Sequence, residues 1–262
     1  MPTVEVFNMT GQKVSDMELA DYYEEVVKIS KSGLESKQYS EVTQSKMCAM
    51  EYIYFSRPDS NINSLNVHAS RRKCGRTLAK ESAISADIVI GVPDSSISAA
   101  IGFSEQSGIP YELGLIKSRY VGRTFIKPTQ ALRERGVKMK LSAIASIVKG
   151  KRVVLVDDSI VRGTTSKQIV KLLREAGALE IHMRVASPAI ISPCFYGVDT
   201  STFSELISNR LDTKALCEYI GADSLSFLSI DGLKESLGEN VCLACFTGEY
   251  PTPIFNLIND LK

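Results

Sequence analysis

Apolar positions recur with two different periods along this chain, and the point where one gives way to the other is its most informative stretch. Val153–Val156 is continuous, β-branched and bounded by charge on both sides, which predicts a strand buried on both faces. From Thr164 the period lengthens. Ile169, Val170, Leu172, Leu173 and Ala176 fall on one helical face, and Gly177 stops the helix. The same reading makes Ile88–Val92 a strand, Ile97–Gln106 a helix closed by Gly108, Tyr111–Ile116 a strand and His182–Ala186 another. Alternation of this kind predicts a mostly parallel α/β sheet with ligands at the carboxyl ends of its strands.

The two flanks read differently. Residues 1–46 hold a strand-like TVEVF and an amphipathic helix with Leu19, Tyr22, Tyr23, Val26 and Ile29 on one side. The polar stretch Lys31–Lys46 follows as a linker or exposed loop. Residues 47–200 form the α/β domain, and 201–262 read as a mostly helical C-terminal subdomain.

Between the strand at Val153–Val156 and the helix after it lie two acids and a short Ser/Gly/Thr loop. Asp157 and Asp158 can accept hydrogen bonds from vicinal sugar hydroxyls or sit near a magnesium ion. Backbone amides of Ser159, Ile160, Val161, Arg162, Gly163, Thr164 and Thr165, with the positive helix N-terminus, can hold a phosphate monoester. Two acids alone after a strand would be an ordinary turn with solvated carboxylates. With SIVRGTT following them, the whole context of a sugar-phosphate site is present.

A second strand, Ile88–Val92, runs into Pro93, Asp94, Ser95 and Ser96. Either serine could simply cap the next helix, a role worth about 1 kcal/mol. Alternatively the loop faces Asp157 across the site and contacts pyrophosphate or its magnesium. Lys117–Lys140 carries eight basic residues and one acid, Glu134. A solvated loop or a nucleic-acid patch would explain the charge, but neither explains Tyr120, Val121, Phe125 and Ile126 within the run. A lid explains both: cations such as Lys117 and Arg123 would neutralise a departing pyrophosphate, and the apolar residues, Tyr120 among them, would exclude water. Gly122 and Gly136 are its hinge points.

Composition narrows the function classes. The 262 residues are 44% hydrophobic, enough for a sizeable core, and their net charge of +1 argues against a nucleic-acid partner. No stretch is long and apolar enough to span a bilayer and MPTVEVFNMT is no signal peptide, so a cytoplasmic protein is expected. Six cysteines then suggest metal or reactive thiols before disulfides. Cys242-Leu-Ala-Cys245 by itself could be a zinc site, a redox pair or neither. His68 and His182 lack partners at metal spacing and read as structural or surface residues.

EYIYFSRPDSNI, SRYVGRTFIKPTQ, KGKRVVLVDDSIVRGTTS and SPCFYGVDTS together resemble glutamine phosphoribosyl pyrophosphate (PRPP) amidotransferases. The resemblance covers about Met47 to the end. It implies the type I phosphoribosyltransferase fold, a mostly parallel sheet flanked by helices with a helical C-terminal subdomain. It also implies formation of 5-phosphoribosylamine and pyrophosphate from PRPP and ammonia. Asp157, Asp158 and Ser95 are then magnesium-linked, residues 159–165 hold the 5-phosphate, and residues 117–140 are the flexible loop that orders over PRPP. Some relatives bind a [4Fe-4S] cluster on four cysteines, and the matching positions are Cys48, Cys194, Cys242 and Cys245. Cys74 and Cys217 match no ligand and read as small buried hydrophobes. Full-length relatives open with a glutaminase domain whose first residue is a catalytic cysteine. Here Cys48 is the first cysteine, so the chain by itself is expected to use free ammonia or a separate glutaminase subunit, or to be a fragment of a longer protein, and to self-associate as the family does. A PRPP-sensing module or noncatalytic subunit, or a salvage transferase acting on a purine or pyrimidine base, are the competing readings.

Overall fold

The computed structural model describes residues 3–7, 13–18, 25–30, 33–38, 46–117, 141–200 and 202–252. Among the described residues before Lys46, β1 (Thr3–Phe7) pairs antiparallel with β2 (Lys13–Glu18) and β3 (Glu25–Ser30) with β4 (Gly33–Gln38). TVEVF is a strand as read. The helix drawn through Leu19, Tyr22, Tyr23, Val26 and Ile29 is not supported where the structure describes it, because Val26 and Ile29 lie on β3. Two adjacent β-branched residues, Val26 and Val27, favour the strand, and Ser30 is brought opposite Gly33, whose φ of 126° is left to glycine. The linker read from Lys31 is correspondingly interrupted, since Gly33–Gln38 is the partner strand. Leu19, Tyr22 and Tyr23 lie outside the described residues.

Short elements join the flanks to the core. Strand β5 (Met47–Cys48) precedes a π-helical turn at Glu51–Phe55. A tight hairpin, β6 (Asn61–Ile62) and β7 (Leu65–Asn66), turns on Asn63 and Ser64, both at positive φ. Asn66 then caps α1 (Val67–Glu81), accepting from the Ala69 amide at 3.0 Å.

The central sheet has four parallel strands, ordered β13 (Ser224–Phe227), β12 (Glu180–Val185), β11 (Arg152–Asp157) and β8 (Ile88–Gly91). Helix α2 (Ile97–Ser107) follows β8 and ends at Gly108, with φ 74°. The run at Tyr111–Ile116 is only partly strand. Tyr111 bridges to Val89, Gly114 comes so close to Ile90 that a Cβ there would lie 2.7 Å from its side chain, and regular pairing begins at β9 (Leu115–Lys117) with β10 (Leu141–Ala143). Residues 118–140, which these two strands flank, lie outside the described set. A short α3 (Ala145–Val148) leads into β11, and α4 (Thr164–Glu175) leads to β12. Past Thr200 come two 3-10 turns, α5 (Thr213–Ile220), strand β13, α6 (Ile230–Leu237), β14 (Val241–Cys242) and α7 (Ala244–Thr247).

Both faces of the sheet are covered, which is why its strands read as unbroken apolar runs. Val154 and Val156 pack with Leu78, Ala99 and Phe103 on the α1–α2 side. Val153 and Leu155 pack with Ile169, Leu173 and Met183 on the other. Helices α1 and α2 cross at backbone contact, because a Cβ on Gly75 would lie 1.9 Å from the Ala99 carbonyl and one on Gly102 would lie 2.0 Å from that of Arg72. Among the described residues no helix is long and apolar enough to cross a membrane.

Candidate functional site

Strands β8 and β11 run parallel, so the loops that follow them emerge side by side at one edge of the sheet. They bring together residues distant in sequence around a cleft of about 800 Å³. Pro93, Asp94 and Ser95 line it from one loop, and Asp157 through Ser166 from the other. Lys117 lines it too, its Nζ donating to Asp94 Oδ2 at 2.9 Å.

The two acids are buried, Asp157 at 7% exposure and Asp158 at 8%. Asp157 Oδ1 accepts from Ser96 Oγ at 3.2 Å and from the Asp158 amide at 2.9 Å. Asp158 accepts from Ser95 Oγ at one oxygen and from Ser159 Oγ, at 2.6 Å, at the other. Burial pushes both carboxyls above the usual carboxylate range. At Asp157 the charge of Asp158 adds to the rise, and at Asp158 the Ser159 and Ser95 hydroxyls and the Arg71 cation oppose it. The side chains of the first loop's serines therefore do not cap the helix. Ser96 occupies the N-cap of α2 without a side-chain capping bond, and both hydroxyls go to the acids instead.

The second loop ends on Gly163 at φ 71°, the N-cap of α4, and no side chain caps that helix. Its first amides are left toward the cleft, next to the hydroxyls of Thr164 and Thr165. From behind, Ile207, Leu216 and Tyr219 close on Gly163, where a Cβ would come within 2.9 Å of Ile207 Cδ1. The Ile207 amide donates to the Val161 carbonyl at 2.9 Å, Ile160 is buried, and Arg162 pairs with Glu205 at 3.0 Å. Tyr120 and Arg123, with Gly122 and Gly136, which the sequence reads as hinges, lie outside the described residues.

Sequence reasoning passed over a further wall of the cleft: Tyr54, Phe55, Ser56, Pro58 and Arg71. Arg71 is 4% exposed, and its guanidinium donates to the carbonyls of Tyr52 (2.6 Å) and Ser56 (2.9 Å). In sequence it is the first of three basic residues, Arg71-Arg72-Lys73, a pattern that reads as an exposed helix face. The histidines are engaged elsewhere, His68 Nδ1 with Ser98 Oγ at 2.9 Å and His182 between Ser224 and Glu180.

Four cysteines converge from three segments. Strands β5 and β14 pair in parallel with Cys48 opposite Cys242, and the Cys245 carbonyl accepts from the amides of Ile191 and Ser192, close before Cys194. The Tyr196 amide donates to Cys194 Sγ at 3.3 Å. Burial raises the thiols of Cys48, Cys242 and Cys245, and neighbouring cysteines, Cys194 among them at each, add to the rise. Among the described residues no three His, Cys, Asp or Glu side chains are set to hold a single metal ion. Cys74 is apart from this group, buried and pushed up to about 11, and Cys217 Sγ donates to the Ala222 carbonyl.

Comparison with known proteins bears on the fold that carries this cleft. Residues 63–187 match the phosphoribosyl transferase domain family. An amidophosphoribosyltransferase of Bacillus subtilis is 59% identical over 88% of this chain and 50% of its own length, and one of Staphylococcus aureus is 51% identical over 93% and 50%. The solved glutamine PRPP amidotransferase from B. subtilis, complexed with ADP and GMP, superposes with a TM-score of 0.79 at 56% identity, over 94% of this chain and 55% of that one. The chain thus spans about half the length of the curated relatives it matches. It carries a phosphoribosyl transferase domain in the type I fold, and it is similar to the corresponding half of the amidophosphoribosyltransferases.

Proposed function

We propose that this chain binds PRPP with magnesium and transfers its phosphoribosyl group to ammonia, releasing pyrophosphate and giving 5-phosphoribosylamine, the entry step of purine synthesis. One observation carries the reading: the buried acid pair and the uncapped start of α4 open into the same cleft. The names of the relatives support the choice of reaction.

In this mechanism the amides of residues 159–165 hold the 5-phosphate, and Asp157 and Asp158 accept hydrogen bonds from the ribose hydroxyls. Ser95, Ser96 and Asp94 border the pyrophosphate end. The donor set suits magnesium, which prefers one or two carboxylates together with substrate phosphates. When bound, magnesium offsets pyrophosphate charge. Lys117 and Arg123 meet that same charge as the bond to C1 breaks, and Tyr120 helps exclude water from the sugar. Ammonia is already a nucleophile, so rate comes from positioning and charge stabilisation rather than from a general base.

We further propose that Cys48, Cys194, Cys242 and Cys245 hold a [4Fe-4S] cluster with a structural role. A thiolate-only quartet fits such a cluster, whose ligands each take a different iron. Zinc would need all four to meet about 2.3 Å from one point. Self-association and a glutaminase partner belong to the same proposal, and sedimentation of the chain alone reads the first.

The test is pyrophosphate release by anaerobically purified chain given magnesium, PRPP and ammonium chloride. Release dependent on all three is the expected result. PRPP bound without release favours a sensing module or an incomplete subunit and overturns the proposed reaction.

A further inference from the structure

Three basic residues line the cleft among those described, and they differ in kind. Lys117 and Arg162 are largely exposed and paired with carboxylates of Asp94 and Glu205. Arg71 is buried, and the acceptors of its Nε and Nη2 are neutral backbone carbonyls. Burying a cation is costly unless it is compensated. Part of the compensation comes from Asp158, whose charge favours the guanidinium. The two groups also border one small gap, together with Ser95 and Ala99.

Its two carbonyl partners have a particular place in the chain. Tyr52 and Ser56 bracket Tyr54 and Phe55, whose rings meet edge-on at 5.4 Å and stand half-exposed in the cleft. A planar guanidinium meets two separated carbonyls with one rigid group, whereas a lysine ammonium is a point charge on a flexible stem. Arg71 is carried by α1, which Gly75 and Gly102 hold against α2, the helix that begins beside Ser95 and Ser96. One side chain thus touches the turn that bears the aromatic wall and lies beside the acid floor.

We propose that Arg71 is a positioning residue that ties the aromatic wall at Glu51–Ser56 to the acid pair. Its fork fixes where Tyr54 and Phe55 stand, and its charge limits how tightly the acids hold a divalent cation before substrate arrives. This rests on the reading of the acid pair as a magnesium and sugar site.

The two roles separate in two variants. Arg71→Gln loses both fork and charge, so PRPP should bind about tenfold more weakly. Mn2+ alone should bind about threefold more tightly, because a nearby positive charge is gone. Arg71→Lys keeps the charge and loses the fork, so PRPP binding should weaken while Mn2+ affinity stays at the wild-type value. The measurements are Mn2+ binding by electron paramagnetic resonance without PRPP, PRPP binding by calorimetry with magnesium, and circular dichroism on each protein. Opposite shifts for PRPP and Mn2+ in Arg71→Gln are expected, and a merely structural role would weaken both together. Loss of both, or wild-type PRPP affinity in Arg71→Lys, overturns the inference. Should Arg71→Gln fail to fold, Arg71→Lys decides alone. A wild-type chain that binds no PRPP overturns the proposed function instead, a distinct result.

Discussion

The acid cleft and the cysteine group are both assembled from distant parts of the chain, but they satisfy their own chemistry differently. In the cleft both acids find donors within the protein, from Ser95, Ser96, Ser159 and the Asp158 amide. At the cysteines, burial raises the thiols of Cys48, Cys242 and Cys245 and neighbouring cysteines add to the rise, as Asp158 does at Asp157. The cleft is therefore built before a ligand arrives. On the proposed cluster reading, the cysteines become thiolates only as the cation binds, so that binding should contribute to the fold itself.

The sharpest way to break this contrast is to change each site and follow activity and stability separately. Asp157→Asn with Asp158→Asn should lower PRPP turnover by about 10³-fold or more while the fold persists. It should also raise the melting temperature of the unliganded chain at pH 8. Both carboxyls titrate higher in the folded protein than in the unfolded chain, so stability is lost as pH climbs from the unfolded value near 4 through the raised one. Amides remove that loss, and melts at pH 6 and pH 8 should converge in the double variant. Cys242→Ser with Cys245→Ser should do the reverse, abolishing iron-dependent absorbance and lowering the melting temperature of iron-loaded protein. Equal melting temperatures with and without iron would erase the contrast.

Smaller effects sharpen it within the cleft. Gly163→Ala places a side chain at φ 71° and 2.9 Å from Ile207, costing about 1–3 kcal/mol in thermal melts and weakening PRPP binding. Glu205→Gln removes a partly exposed pair to Arg162 and should cost under about 1 kcal/mol. A KM for PRPP raised by less than about fivefold checks it, since that is the reach of such a pair.

The central fold was legible because both sheet faces are covered, so Val153–Val156 and Ile88–Val92 show as plain apolar runs. The acid pair was legible because strand, DD and SIVRGTT stand together in one stretch. The N-terminal region misled because Val26 and Ile29 satisfy a helical spacing while also lying three apart on a short β-branched strand. Ser95 and Ser96 were ambiguous for a physical reason: a hydroxyl at a helix start serves as a cap or as a donor to an acid some sixty residues later, and only packing decides. Arg71 left no local mark, since its partners are backbone carbonyls that no side-chain pattern encodes. The C-terminal edge strand β13 was masked by its length of four residues between two helices.

The measurement that most directly tests the central claim is a phosphorus NMR titration of PRPP, with magnesium, into the wild-type chain and the Asp157→Asn, Asp158→Asn variant. The account predicts that the 5-phosphate and pyrophosphate signals shift or broaden with wild type and remain those of free PRPP with the variant. Equal binding by both proteins would contradict it and place the phosphosugar outside the acid cleft.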